Sequence, residues 1–436
     1  MNKKLILWSI TVSLGGLLFG MDVANISGAE QRIQKLWNLN DWMHGTAIAM
    51  ALYGTIFGAG FGSVPANRFG RKKTLILIGI VFLVSAIGSA LANDVYTFMA
   101  FRFLGGLSIG ASSVVAPVYI SEIAPPQHRG KMGIAFQINV VSGILLAYLV
   151  NYLLQGVGGE NDWRYMLGVI AIPSLIFSVM MFFTPESPRW LLLYRNNENE
   201  AREIFKQSGA NADELIAEIK KSAQMQQKKE SLFSGKFSKP LLLALLLALF
   251  NQLSGINAII YFAPRVFEMA GLGKDAAFLS SAGIGIVNFL FTMIGWYLID
   301  RSGRRKLMYI GSIGYIVSLS LMALAFAGYM HGGITIFVFL FIAAHAIGQG
   351  SVIWVFLSEI FPNSVRAAGT SFGCLTHWVF AAVISQTFTF FANRIGGSYI
   401  FGFFAVMMVL QLLFVWKMMP ETKGIALENM EARVGH

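Results

Sequence analysis

The chain has 436 residues, of which 56% are hydrophobic and 13% charged, against about 45–50% and about 25% in soluble globular proteins. That shift excludes an ordinary soluble domain and places the chain in a lipid bilayer. A net charge of +11 would point a soluble protein towards nucleic acid; here basic loops beside membrane spans account for it, and no nucleic-acid partner is read.

Apolar stretches long enough to cross the hydrocarbon core fall at about 5–27, 46–66, 74–93, 97–121, 132–155 and 164–183. They resume at about 240–262, 277–299, 306–328, 334–357, 370–392 and 398–419. The first run follows Lys3 and Lys4 as a secretory signal would, but it is long, contains Asp22 and lacks a small-residue cleavage site, so it reads as a retained span. In lipid every backbone polar group needs an internal partner, which makes spans of this length helices; barrel strands are shorter and alternate. With both termini and the even-to-odd loops on one side, that side holds 26 of the 33 basic residues, the other side six, and Arg102 lies within a span. The bias predicts cytoplasmic termini.

Residues 190–239 interrupt this pattern with a Glu-, Lys-, Asn- and Gln-rich segment, in which 199–207 and 212–229 read as short amphipathic helices on a cytoplasmic linker. Around it the chain repeats itself. Asn67-Arg68-Phe69-Gly70-Arg71 recurs as Asp300-Arg301-Ser302-Gly303-Arg304 after 233 residues. Ser121-Glu122-Ile123 with Arg129 recurs as Ser358-Glu359-Ile360 with Arg366 after 237, and Pro185-Glu186 as Pro420-Glu421 after 235. Three ordered pairs at nearly one offset describe two like-oriented six-helix bundles, residues 1–189 and 240–436. The expected fold is therefore an all-α membrane protein of twelve transmembrane helices in two parallel repeats, an arrangement that rocks around a central cavity. Cys374 is the sole cysteine, so no intrachain disulfide is available. The six histidines lack metal-ligand spacing and no phosphate-cradling Gly-rich loop occurs, so neither metal, cofactor nor enzyme chemistry is read.

These motifs, with Pro185-Glu186-Ser187-Pro188-Arg189, Gln252-Leu253-Ser254-Gly255-Ile256-Asn257 and the final Pro420-Glu421-Thr422-Lys423, resemble the sugar porter family of the major facilitator superfamily over essentially the whole chain. The pattern is similar to bacterial proton–sugar symporters and to animal glucose and fructose facilitators. The resemblance implies a monomeric transporter in a cell membrane that carries a monosaccharide by alternating access. It also implies a gate latch on the cytoplasmic side, formed by Arg68, Arg71, Glu122, Arg129 and Glu186 and repeated as Arg301, Arg304, Glu359, Arg366 and Glu421.

Asp22 and Arg102 are the charges inside spans. An intramembrane carboxylate costs about 2.5–3.5 kcal/mol on insertion scales and so faces a cavity or a partner. At 1.5 Å per residue Asp22 lies about 25 Å above the inner end of the first span, and Arg102 about 30 Å above Glu122, so the two share a depth. Proton-coupled members of the family carry this Asp–Arg arrangement, which implies proton symport; an uncoupled facilitator is the alternative reading, and a transporter-like sensor a more distant one. Amides both donate to and accept from sugar hydroxyls, while aromatic faces cover ring carbons. Gln137, Asn251, Gln252, Asn257, Tyr261, Asn288, Trp354, His377 and Trp378 supply these groups, with Gly350 as a flexible point beside them. The family motif implies sugar contact at Gln137, Gln252, Asn257, Asn288 and Trp354. Asn251 stands where many members have Gln, and His377 where Gln or Asn is frequent; fructose-transporting relatives can carry His there, which makes fructose the first expectation among hexoses and pentoses.

Overall fold

The computed structural model describes residues 3–125, 129–224, 231–330, 332–362 and 364–423, and every regular element among them is helical. In chain order these are α1 (Lys3–Leu36), α2 (Asp41–Phe61), α3 (Ser63–Phe69), α4 (Arg71–Leu91), α5 (Val95–Ile123) and α6 (Arg129–Leu154). A 3₁₀ turn then precedes α7 (Asp162–Gly168) and α8 (Ala171–Phe182), followed by α9 (Pro188–Arg195), α10 (Glu198–Ser208) and α11 (Ala212–Gln224). The rest comprises α12 (Ser238–Leu253), α13 (Ile256–Tyr261), α14 (Ala263–Met269), α15 (Lys274–Ser302), α16 (Arg304–Phe326), α17 (Ile334–Ile347), α18 (Gln349–Glu359) and α19 (Arg366–Lys417).

Among the described residues, ten helical segments are long and apolar enough to cross a membrane, and α2 with α3, bent by 46°, makes an eleventh. The 52-residue α19 is two helices joined at Gly396, whose φ of 80° is not helical. Counting α19 twice brings the spans to the expected twelve. Two boundaries differ from expectation. Helix α1 continues to Leu36 instead of ending near 27, because Glu30 and Gln34 find side-chain partners there and the helix need not stop where its sequence turns polar. Helix α9 was not foreseen; Ser187 Oγ accepts from Trp190 N and Pro188 sits in the first turn, a favourable helix start. Helix α10 matches the expected 199–207 closely and α11 ends at Gln224; residues 225–229 of the second expected helix lie outside the described residues.

The helices form two compact units. The first comprises Met1–Val23, Met50–Ala147 and Arg164–Lys228, the second Ala24–Ala49, Tyr148–Trp163 and Lys229–His436. Helices α1, α2 and α6 therefore begin in one unit and end in the other. Within the first unit, close backbone approach is bought by glycine. Cβ atoms at Gly16 and Gly20 of α1 would lie 2.4 and 1.9 Å from the Phe136 and Val140 carbonyl oxygens of α6. A Cβ at Gly106 of α5 would lie 1.9 Å from the Ala51 oxygen of α2. In lipid, where apolar burial does not drive helices together, such small-residue stripes let dispersion contacts accumulate.

In the second unit, the parts of α1, α2 and α6 that belong to it are tied to the C-terminal helices. Tyr148 Oη donates to the Ile260 carbonyl at 2.8 Å, Gln386 Nε2 to Thr46 Oγ1 at 3.1 Å and Asn393 Nδ2 to Asp41 Oδ1 at 2.8 Å. Gly106→Ala should force α2 and α5 apart and lower the melting temperature of the detergent-solubilised protein, with a cost of about 1–3 kcal/mol. Gly133→Ala, where a Cβ meets nothing within 4 Å, should leave it unchanged; equal melting temperatures for the two variants would contradict the packing argument.

Candidate functional site

The buried acid and base come together. Asp22 on α1 and Arg102 on α5 are 4% and 1% exposed, and Arg102 Nη1 donates to Asp22 Oδ1 at 2.7 Å. Asp94 caps α5 by accepting from the Tyr96 and Thr97 amides, which starts the helix two turns before Arg102. The pair is half satisfied: Asp22 Oδ2 and Arg102 Nε and Nη2 have no hydrogen-bond partner among the described residues. A bidentate fork would use both carboxylate oxygens. Here one hydrogen bond holds two desolvated charges, and the second carboxylate oxygen is buried with no donor among the described residues.

In the second unit the polar residues gather where helices break. Helix α12 stops at Leu253, Ser254 Oγ accepts weakly from Ile256 N and donates to the Asn251 carbonyl, and α13 restarts after Gly255. Gly255 is required twice, by its φ of +84° and because a Cβ there would lie 2.5 Å from Phe404. A second break at Gly348 makes Gln349 the first residue of α18. Interrupted helices release backbone polar groups in lipid, and side chains must satisfy them. Around these breaks Asn257 Nδ2 donates to Gln252 Oε1 at 2.7 Å, and Gln252 Nε2 donates to Asn251 Oδ1 at 3.0 Å and contacts the His377 ring nitrogens at 3.2 Å. His377 packs against Trp354 and edge-on to Trp378, with ring centroids 5.0 and 4.9 Å away. Asn257 and His377 keep 9% and 8% of their surface, and Trp354 is half-buried. Gly350 packs in the first turn of α18, where a Cβ would lie 3.1 Å from the His345 carbonyl oxygen. Tyr261 and Asn288 are buried on α13 and α15. Gln137 is half-buried on α6 in the first unit.

The repeated motifs build the same device twice. In the first unit Arg71 grips Glu122 through Nε and Nη2 at 2.9 and 3.0 Å, and Ser187 Oγ donates to Glu122 at 2.6 Å. Glu186 caps α4 by accepting from the Arg71 and Lys72 amides. In the second unit Arg304 grips Glu359 at 3.1 and 2.8 Å, Thr422 Oγ1 donates to Glu359 at 2.6 Å, and Glu421 caps α16 through the Arg304 and Arg305 amides. Gly70 and Gly303, at φ of +101° and +84°, admit these carboxylates; a Cβ would meet the capping oxygens at 2.2 and 2.5 Å. The two caps are shifted in opposite directions. Burial raises the pKa of Glu186, and the amide donors of Ser187, Lys72 and Arg71 only partly offset it. Burial also opposes ionisation of Glu421, but four amide donors outweigh it and hold the group below the usual carboxylate range. Arg68 and Arg301 stay exposed and lie over the Phe69 and Tyr297 rings, while Arg366 donates to the Phe361 carbonyl. Arg129 opens α6, and its side chain lies outside the described residues.

A further cluster escaped sequence reasoning. Glu30, fully buried beyond the expected end of the first span, accepts from Arg265 Nε at 2.9 Å and Nη2 at 2.7 Å, with His44 Nε2 3.0 Å from its Oε2. Arg265 also donates to Gln34 Oε1 at 2.6 Å. Three residues far apart in sequence and outside any repeated motif carry no signal that unites them; the only clue was helical spacing of Glu30 and Gln34. Glu30→Gln should cost about 3–5 kcal/mol by leaving a buried guanidinium without its counter-charge. A melting-temperature series should show Glu30→Leu with Arg265→Met recovering most of that loss; a single substitution without effect would contradict the pairing.

The sequence profile of the family described as "Sugar (and other) transporter" matches residues 8–433. The chain is 37% identical over 437 residues to the arabinose-proton symporter of Bacillus subtilis strain 168, covering 98% of this chain and 94% of that protein. It is also 37% identical over 438 residues to the glucose transporter GlcP of Staphylococcus epidermidis, covering 99% and 97%. Its fold matches the inward-open xylose transporter XylE from E. coli with a TM-score of 0.88 at 31% identity, covering 99% of this chain and 100% of that one. Twelve spans, paired helix-end motifs and full-length similarity agree: the chain belongs to the sugar transporter family of the major facilitator superfamily, and is a multi-pass membrane transporter rather than an enzyme.

Proposed function

We propose that this protein carries a monosaccharide together with a proton across a bacterial plasma membrane, as a monomer with both termini in the cytoplasm. The observation that carries the coupling is the buried, half-satisfied Asp22–Arg102 pair. A proton arriving at Asp22 Oδ2 neutralises the carboxylate and turns a charge pair into a hydrogen bond between a neutral acid and a cation. The remaining attraction no longer offsets the desolvation of Arg102, so the conformation that buries both groups loses its advantage. Proton occupancy thereby biases which side of the membrane the transporter faces.

Sugar hydroxyls meet the amides of Gln252 and Asn257 and the imidazole of His377, and Trp354 and Trp378 cover apolar ring carbons; Tyr261, Asn288 and Gly350 complete the lining within the second unit. The substrate belongs with the aldoses. The relatives are named for arabinose, glucose and xylose, whereas the fructose expectation rested on His377 alone. Alternating access then rocks residues 1–189 against 240–436, with 190–239 as the linker. The Arg71–Glu122–Glu186 and Arg304–Glu359–Glu421 clusters, flanked by Arg68, Arg129, Arg301 and Arg366, serve as the inner gate.

In proteoliposomes with an imposed pH gradient, Asp22→Asn should abolish accumulation of labelled D-xylose or D-glucose while exchange of the same sugar persists. Accumulation that survives this substitution would overturn the coupling assignment. Competition between labelled uptake and unlabelled arabinose, xylose, glucose and fructose ranks the substrates, with an aldose expected first.

A further inference from the structure

Behind Gln252 the polar contacts continue far past any group a sugar can reach. Asn251 Nδ2 donates to Gln349 Oε1 at 3.3 Å, Gln349 Nε2 to Gln411 Oε1 at 2.7 Å, and Gln411 Nε2 to Ser312 Oγ at 2.8 Å. With Asn257→Gln252→Asn251 in front, this is one head-to-tail series of five hydrogen bonds in which every amide donates in the same sense. Exposure falls along it: Asn257 keeps 9%, Gln252 1%, Asn251 2%, and Gln349, Gln411 and Ser312 none. The series crosses α13, α12, α18, α19 and α16, so it links the two broken helices to helices that lie behind them.

We propose that Asn251, Gln349, Gln411 and Ser312 form a positioning relay that fixes the orientation of the Gln252 amide, and that this relay, rather than direct contact by Asn251, sets sugar affinity. The inference rests on the reading of Gln252 and Asn257 as sugar contacts. An isolated terminal amide can flip and so present either oxygen or nitrogen at almost no cost. Gln252 cannot: its oxygen accepts from Asn257, and its nitrogen faces the Asn251 oxygen and the His377 ring. Reversing it would place nitrogen against nitrogen at Asn257 and oxygen against oxygen at Asn251, unless the neighbouring amides turned too. Asn251 can turn only if Gln349 and Gln411 turn with it; since the Ser312 hydroxyl can accept or donate, the row does not forbid reversal but makes it a concerted turn of four buried amides instead of one. Aligned amides also polarise one another, which strengthens each bond in a low-dielectric interior. The short side chain of Asn251 suits this role, since its nitrogen reaches Gln349 on the side away from the exposed edge.

The test is a double-mutant cycle read by equilibrium binding of D-xylose and D-glucose to purified protein, with transport KM and Vmax alongside. Gln411→Leu should weaken binding about fivefold, the size of one or two lost hydrogen bonds, raising KM with little change in Vmax. In a Gln252→Ala background the same substitution should change affinity by less than about twofold, because the group it orients has gone. Ser312→Ala removes one oxygen and provides a second entry to the cycle should Gln411→Leu fold poorly; about a twofold loss is expected, again absent without Gln252. Unchanged affinity in Ser312→Ala and Gln411→Leu, or losses that multiply with that of Gln252→Ala, would overturn the relay. Gln252→Ala that binds both sugars normally would instead overturn the sugar site itself.

Discussion

A carboxylate and a guanidinium share the interior of this protein through a single hydrogen bond. Desolvating two charges is expensive, and their attraction repays it only when geometry and extra hydrogen bonds are favourable. Asp22 and Arg102 meet the first condition, at 2.7 Å, but leave one oxygen and two nitrogens unpartnered among the described residues. The Glu30–Arg265 pair differs in just this respect: it is bidentate and additionally bonded to Gln34 and His44. The contrast separates a sparsely supported charge pair, on which the proposed coupling rests, from one whose partners are satisfied and which holds helices together.

The helices are organised to serve that interior. Glycines at Gly16, Gly20 and Gly106 let backbones touch, so that α1 and α5 can present Asp22 and Arg102 to each other. Beside the helix breaks at Gly255 and Gly348 runs a row of amides that bond one another. At the helix ends, Glu186 and Glu421 cap α4 and α16 while Arg71 and Arg304 hold Glu122 and Glu359. Repetition of one device in two units shows that the internal repeat is structural down to individual hydrogen bonds.

Much of this was legible before any coordinates. Span number followed from hydropathy, because lipid permits so few alternatives. Depth arithmetic placed Asp22 and Arg102 at one level, and the recurring motifs gathered Arg71, Glu122, Arg304 and Glu359 into latches without saying which arginine grips which carboxylate. The missed features have a common cause. Glu30, His44 and Arg265 lie on three separate segments, and Gln349, Gln411 and Ser312 on three more; a single sequence holds no record of which of them touch. Helix continuity through polar residues, as in α1 beyond residue 27, is likewise set by tertiary partners rather than by local pattern. The fructose expectation leaned on one residue type at His377, whereas the relatives are named for arabinose, glucose and xylose.

The central claim is that sugar and proton move together because one carboxylate reports protonation to the whole transporter. Its most direct measurement is the pH of a lightly buffered suspension of de-energised cells expressing the protein, recorded as D-xylose or D-glucose is added. Symport predicts a transient alkalinisation that tracks sugar entry and vanishes with a protonophore. Sugar entry at full rate with no change in external pH would contradict it.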